Sequence, residues 1–160
     1  MAKKIEKTNA ARLLDRAKIA YELVPYEVDE NNLAATHVAE SLGEPIERVY
    51  KTLVLKGDRN GHFVCIVQGD KEVDLKAAAK VSGNKSAEMI PMKELLPTTG
   101  YIRGGCTPIG MKKRFPTYID ETCQLYDRIA VSAGERGHQM IIPHEAILQL
   151  ANAKFADIIA

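Results

Sequence analysis

Helical and strand periods alternate along this chain. Leu13, Leu14 and Ala17 fall on one helical face behind Thr8 or Asn9, either of which can cap a helix. Tyr21 to Val28 reads as a strand interrupted by Pro25, which confines it to a sheet edge. After the polar loop Asp29–Asn32, Thr36 can cap a short helix that runs through Leu42 and stops at Gly43. Val49–Lys56 is a β-branched strand, Asp58-Arg59-Asn60-Gly61 a hairpin turn, and His62–Gln68 the return strand. Asp74–Val81 and Pro91–Leu96 are short helices, the first ending at Ser82-Gly83. Thr117–Ile119, Tyr126–Ser132 and Gln139–Ile142 are strands, and Pro143 opens a helix to about Leu150. Strands with irregularly spaced short helices predict one α+β domain over residues 1–160, with a mixed sheet curled toward a barrel.

Composition narrows the classes. A chain of 160 residues can bury a substantial core, and no apolar run approaches the ~20 residues that span a bilayer. The N-terminus MAKKIEKTNAARLL carries lysines without the apolar centre of a signal peptide, so a cytoplasmic protein without membrane contact is expected. Cys65, Cys106 and Cys123 are odd in number and lack metal-ligand spacing, and His37, His62, His138 and His144 are scattered. Neither a disulfide framework, nor a metal, nor a cofactor is expected. Cys65 alternates with apolar neighbours and belongs in a core, whereas Cys123 reads as loop or surface. The net charge is only +1. A protein that grips nucleic acid by itself usually carries a strong basic excess. Any such contact here is therefore local.

One segment concentrates candidate chemistry: GGCTPIGMKKRFPTYID, Gly104 to Asp120. Paired glycines let other groups approach the backbone, and two successive N–H groups can face an oxyanion or a phosphate. Lys112-Lys113-Arg114 follows at once and supplies fixed positive charge. By default such a glycine pair is a tight turn and such a triplet a solvated face. Cys106 follows the glycines, but a nucleophilic thiol needs a lowered pKa and usually a partnered histidine, so it reads as a small wall residue. Lys51, between Tyr50 and Thr52 where a strand begins, can offer its amine to a phosphate, a carbonyl oxygen or a ribose hydroxyl. An edge lysine that deters aggregation is the plainer reading.

Together with VYKTLVLKG at Val49–Gly57, VDLKAAAKVSG at Val73–Gly83 and AKFADI at Ala153–Ile158, this segment resembles the YbaK/EbsC family over Thr8 to Ile158. The family comprises free-standing relatives of the bacterial prolyl-tRNA synthetase editing domain, described as Cys-tRNA(Pro) and Cys-tRNA(Cys) deacylases. The resemblance implies an aminoacyl-tRNA substrate and prolyl-tRNA synthetase as a partner. It makes Lys51 the residue on which activity depends, and it places the Gly104 and Gly105 N–H groups on the aminoacyl carbonyl or the terminal adenosine. It puts Tyr26, Thr52, Cys106, Ser132 and Gln139 at the substrate pocket, and Lys112, Lys113, Arg114 and Arg136 on tRNA phosphates. Arg136 can equally brace the VSAGERG turn. Two positions depart from the pattern: Gln139 stands where an aspartate is expected, and Ala34 where an aromatic is. The first removes a charge from the pocket rim and the second enlarges it. With no protein nucleophile in view, the family reading lets the substrate's own thiolate attack its ester carbonyl and leave as a cyclic thiolactone. Three alternatives stay open: a thiol hydrolase built on Cys106, a module that binds aminoacyl-tRNA or a synthetase without catalysis, and a deacylase for a different small amino acid.

Overall fold

The computed structural model describes residues 8–29 and 31–160. The first seven residues, on which the signal-peptide reading partly rests, lie outside the described residues. Helix α1 (Asn9–Arg16) starts where Thr8 Oγ1 accepts the Ala11 N–H. Strand β1 (Glu22–Pro25) is shorter than the Tyr21–Val28 run and is indeed an edge strand. Helix α2 (Ala35–Leu42) begins two residues earlier than a Thr36 cap would set. Ala34 is its N-cap and makes no side-chain cap bond, so Thr36 lies inside the helix. Strands β2 (Tyr50–Gly57) and β3 (Gly61–Gln68) form the long hairpin. Then come α3 (Leu75–Val81), β4 (Ala87–Met89), α4 (Met92–Thr99), β5 (Thr117–Asp120), β6 (Arg128–Ser132), β7 (His138–Pro143), α5 (His144–Leu150) and β8 (Lys154–Ala156). Asp74 caps α3 by accepting the Lys76 and Ala77 N–H groups. Pro143 is the N-cap residue of α5. Strands β4 and β8 escape the sequence pattern, because three-residue strands carry too little alternation to be seen.

These strands make two sheets, β1-β7-β6 and β4-β2-β3-β5-β8. The larger is mixed: β2–β3 and β2–β4 are antiparallel, β3–β5 and β5–β8 parallel. A parallel bridge between Val49 and Ala130 joins the two. The predicted barrel-like curl is therefore two sheets facing one another, not a closed barrel. The main core lies between them: Tyr50, Val54, Val64 and Ile66 meet Ile129, Val131, Met140 and Ile142, and α1 and α5 add Leu14 and Ile147. The opposite face of the hairpin buries Leu55, Phe63, Cys65 and Val67 under Ala78 and Ile158. Covered on both faces, β3 reads as an almost unbroken apolar run.

Cys65 is core, as expected, but Cys123 is not a surface residue. It is fully buried in the 3₁₀ turn Glu121–Leu125. Buried Asp120 fixes that turn, its two carboxylate oxygens accepting the N–H groups of Thr122 and of Ile158 in the C-terminal tail.

The hairpin is clamped at its tip by Asn84. Its Oδ1 accepts the Arg59 and Asn60 N–H groups at 2.9 and 2.8 Å, and its Nδ2 donates to Ser82 Oγ. Asn84 sits over Gly57, where any Cβ would collide with it. Asn84→Ala strands these donors, and a lost buried partner costs about 1–3 kcal/mol. A urea titration should show a lower midpoint at unchanged slope. An unaltered midpoint would contradict the clamp.

Candidate active site

Strand β4 pairs only with Leu55–Gly57 of β2. Upstream of that contact the outer edge of β2 faces a cavity of about 500 Å³, within the range of small-ligand sites. Its walls are the β2 edge from Tyr50 to Val54, the start of α2 with Leu33 and Ala34, the β4–α4 segment, the Gly104 turn, and Ser132 and Gln139 at the ends of β6 and β7. Lys51, Thr52, Gly104, Cys106, Ser132 and Gln139 are thus gathered around one space from four regions of the chain. Ala34 lies on the wall.

Lys51 is half-buried. Burial lowers its pKa from the ordinary lysine value, against the opposing pull of Glu72 and Asp70. Thr52 Oγ1 and Gln139 Oε1 are buried without a hydrogen-bond partner. Ser132 Oγ accepts the Gly134 N–H at 3.2 Å, which leaves its own proton available. Lining groups with unmet bonding capacity are what a binding site needs.

The glycine pair is divided in its roles. Gly104 has φ +83, a conformation that L side chains rarely adopt. Gly105 N–H donates to the Ile102 carbonyl at 2.9 Å and closes the turn. The two N–H groups therefore do not both face the cavity: Gly105 is engaged, and Gly104 N–H has no protein acceptor among the described residues. Gly105 is needed for close packing, since a Cβ there would lie 3.1 Å from Glu135 Cα. Arg136 braces the same turn, its Nε donating to the Arg103 carbonyl at 2.8 Å.

Other candidates lie elsewhere. Tyr26 is not among the cavity's lining residues. Its N–H donates to the Gly137 carbonyl, so it supports the Ser132–His138 loop from outside the lining. Lys113 and Arg114 line a separate, smaller cavity, and Lys112 lines neither. Sequence reasoning missed Arg103, Tyr50 and the apolar rim Met89, Met92 and Leu95. For Arg103 a signal was present, a cation directly before the paired glycines. Tyr50 and the rim look like ordinary core residues in the sequence. Tyr50 hydroxyl is 2.8 Å from Thr122 Oγ1, and burial raises its pKa above the ordinary phenol value.

Cys106 lines the cavity yet is buried, and desolvation pushes its thiol up to about 12, with a Thr99 hydrogen bond opposing. A thiol so raised is protonated near neutral pH and is a poor nucleophile. Two expectations follow from these shifts. Native Cys106 should be alkylated by iodoacetamide at pH 7 at least about tenfold more slowly than in the urea-unfolded chain, because the raised pKa and burial leave little reactive thiolate. Lys51→Met should melt at or above the wild-type temperature. The depressed lysine pKa marks a charge that burial penalises, a penalty that builds as pH falls from the ordinary lysine value toward the folded one and is complete below it. A Tm clearly below wild type at pH 7 would contradict that reading of Lys51.

An α+β domain with this cavity and glycine turn has a known family. The chain belongs to the aminoacyl-tRNA editing domain family, whose sequence pattern matches residues 29–150. It is 51% identical over 160 residues, 99% of this chain and 98% of the other, to the Enterococcus faecalis protein EbsC, named as a candidate Cys-tRNA(Pro)/Cys-tRNA(Cys) deacylase. It is 24% identical over 145 residues to the proline–tRNA ligase of Staphylococcus aureus strain Newman, covering 85% of this chain and 25% of the ligase. The fold is also that of a crystal structure of a candidate trans-editing enzyme for prolyl-tRNA synthetase. The TM-score is 0.80 at 22% identity, over 97% of this chain and 99% of that one. Among the described residues no helix is long and apolar enough to cross a membrane.

Proposed function

We propose that this protein removes cysteine from mischarged tRNA(Pro), and from Cys-tRNA(Cys), by holding the aminoacyl-adenosine end in the cavity while the substrate's thiol performs the attack. It does so in the cytoplasm as a free-standing editing factor, with prolyl-tRNA synthetase as its partner. The observation that carries this reading is the single cavity in which Lys51, the Gly104 turn, Ser132 and Gln139 converge.

Each lining group has a task suited to its chemistry. Lys51 is a fixed cation for the ribose or its phosphate beside the ester. Gly104 N–H donates to the carbonyl oxygen as charge develops there, a donor whose loss typically costs about 2.7–4 kcal/mol. Gln139 Oε1 and Thr52 Oγ1 accept from the aminoacyl ammonium, which brings the donors that these buried atoms lack. The Ser132 hydroxyl and the Cys106 wall bound the side chain. Met89, Met92 and Leu95 offer an apolar surface to the adenine. Arg103 and Arg136 stand at the Gly104 turn for the phosphates of the acceptor end.

In the step itself, the thiol gives up its proton and sulfur bonds to the carbonyl carbon. The carbon–oxygen ester bond then breaks, the ribose oxygen takes a proton, and the amino acid leaves as a cyclic thiolactone. Folding the substrate for this attack is worth up to about 7–11 kcal/mol in favourable intramolecular cases. The protein then needs no nucleophile of its own, consistent with the raised Cys106 thiol.

The test is loss of the cysteinyl ester from Cys-tRNA(Pro), with Lys51→Ala protein and Ser-tRNA in parallel. Wild type should cleave Cys-tRNA(Pro) at least about a hundredfold faster than Lys51→Ala, equivalent to about 2.7 kcal/mol, and should leave Ser-tRNA near its spontaneous rate. Rapid cleavage of Ser-tRNA would overturn the mechanism. Binding of tRNA that survives Lys51→Ala with no deacylation by wild type would favour a non-catalytic module. The pH profile adds a check. The rate should rise as the substrate thiol ionises, near roughly 8.5 for a free thiol. It should fall again below the ordinary lysine range, as Lys51 with its lowered pKa loses its charge.

A further inference from the structure

The main chain of β2 is only partly paired on its outer edge. In an antiparallel sheet the main-chain groups of alternate residues point to opposite edges of a strand. Val49 carbonyl accepts the Gly69 N–H at 2.7 Å, and Val64 N–H, opposite Val54, turns away from β2 to the Pro116 carbonyl at 2.8 Å. The odd residues of β2 therefore bond to β3, and the even ones face the outer edge. On that edge Lys56 pairs with Glu88, and Val54 carbonyl accepts the Ile90 N–H at 3.2 Å. There the pairing stops, because Pro91 is the N-cap of α4 and the chain turns into the helix. Thr52 N–H, Thr52 carbonyl and Val54 N–H are left without a protein partner among the described residues. Both residues line the larger cavity.

The gap is that of one missing strand residue. Continued past Met89↔Leu55, the β4 register would set residue 92 opposite Thr52. That is the hydrogen-bonded kind of antiparallel pair, in which two residues exchange both N–H···O bonds. Met92 lies in α4 instead. Such an edge accepts a ligand that carries a donor and an acceptor along an extended chain. The two faces of the edge differ. Tyr50 and Val54 belong to the core between the sheets, whereas Leu53 and Leu55 pack on the opposite face. By alternation Thr52 shares the first face and Lys51 the second. Thr52 Oγ1 and Gln139 Oε1 are buried without partners.

We propose that the Thr52 main chain reads the L-α-amino acid part of the aminoacyl ester as one residue of an antiparallel strand, its N–H donating to the ester carbonyl oxygen and its carbonyl accepting from the α-ammonium. This rests on the deacylase reading. It adds a second donor to the carbonyl oxygen, which the glycine turn does not supply because Gly105 N–H is engaged by Ile102. The remaining ammonium protons go to Thr52 Oγ1 and Gln139 Oε1, the two acceptors that folding leaves unmet. Pairing of this kind is handed. Directly opposed residues carry their side chains on one face. An L side chain therefore lies on the Thr52 face, toward Cys106 of the same core cluster, and a D side chain on the Lys51 face. The antiparallel direction also sends the ester oxygen toward the Lys51 end of β2. The substrate class is an ester of an L-α-amino acid with a free amino group.

The test uses the full chain and stable probes in which an amide replaces the ester. They are S-methyl-L-cysteine linked to the ribose of an aminodeoxyadenosine, its D enantiomer, and the same amide of methylthiopropionic acid, which lacks the amino group. In calorimetric titrations of wild type, the D and desamino probes should bind at least about tenfold more weakly than the L probe. A protein in which the α-hydroxy acid of threonine replaces Thr52 keeps the side chain and exchanges the N–H for an ester oxygen, and a thermal melt confirms that it folds. It should bind the L probe at least about tenfold more weakly than wild type does and lose most of the preference over the D probe. L and D affinities within about twofold in wild type would overturn the pairing. So would a desamino probe that binds as well as the L probe, an L probe that does not bind, or an L preference that the α-hydroxy variant keeps in full. If the L probe binds as expected while wild type leaves Cys-tRNA(Pro) at its spontaneous rate, the deacylase reading fails and the pairing stands. If Cys-tRNA(Pro) is cleaved while the probes bind without regard to handedness, the pairing alone fails.

Discussion

The β2–β3 hairpin must be buried on both faces and still leave part of one edge unpaired. Burial supplies the core on either side, through Val54 and Ile66 toward the second sheet and through Leu55 and Phe63 toward α3 and the tail. The open edge follows from the brevity of β4, which stops pairing at Leu55. The candidate site is arranged along that gap. The α2 start, the Gly104 turn and the ends of β6 and β7 close around it, and the bridge from Val49 to Ala130 fixes how far apart the two sheets stand there.

Desolvation at this edge acts on two groups in opposite directions. It raises the Cys106 thiol and lowers the Lys51 ammonium, because in both cases it disfavours the charged form. The same burial that disarms the protein's thiol thus keeps the cavity free of a competing nucleophile. It also makes the Lys51 charge costly to hold, and a ligand with negative charge or strong acceptors relieves that cost. Unpaired Thr52 Oγ1 and Gln139 Oε1 have the same character. The cavity is a set of polar groups that folding leaves unsatisfied and a substrate completes.

Much of this was legible in the sequence. The family resemblance pointed to Lys51, the glycine pair, Ser132 and Gln139, which line one cavity or its glycine turn, and most of the strands and helices show in their period. What stayed hidden has physical causes. The engagement of Gly105 N–H depends on the closure of a turn by Ile102, and no pattern of residue types states which N–H a turn consumes. Lys113 and Arg114 follow the glycines in sequence but line another cavity, beyond the turn at Gly110 with its φ of +78. Thr36 is a good capping residue that the helix start passes over at Ala34. Cys123 reads as loop or surface among polar neighbours, yet the capping of its turn by Asp120 goes with its full burial. Arg136 has two readings, and its bond to the Arg103 carbonyl realises the bracing one, its remaining guanidinium N–H groups having no protein acceptor among the described residues.

The central claim is that the protein supplies a shaped, unsatisfied cavity and the substrate supplies the nucleophile. It is tested most directly with tRNA(Pro) carrying S-methylcysteine, which fits nearly as cysteine does but has no ionisable thiol. The account predicts that wild-type protein binds this tRNA with an affinity close to that for Cys-tRNA(Pro) and leaves the ester at its spontaneous rate of loss. Cleavage of the S-methyl ester at a rate comparable to that of the cysteinyl ester would contradict it, because the attacking group would then have to come from water or from the protein.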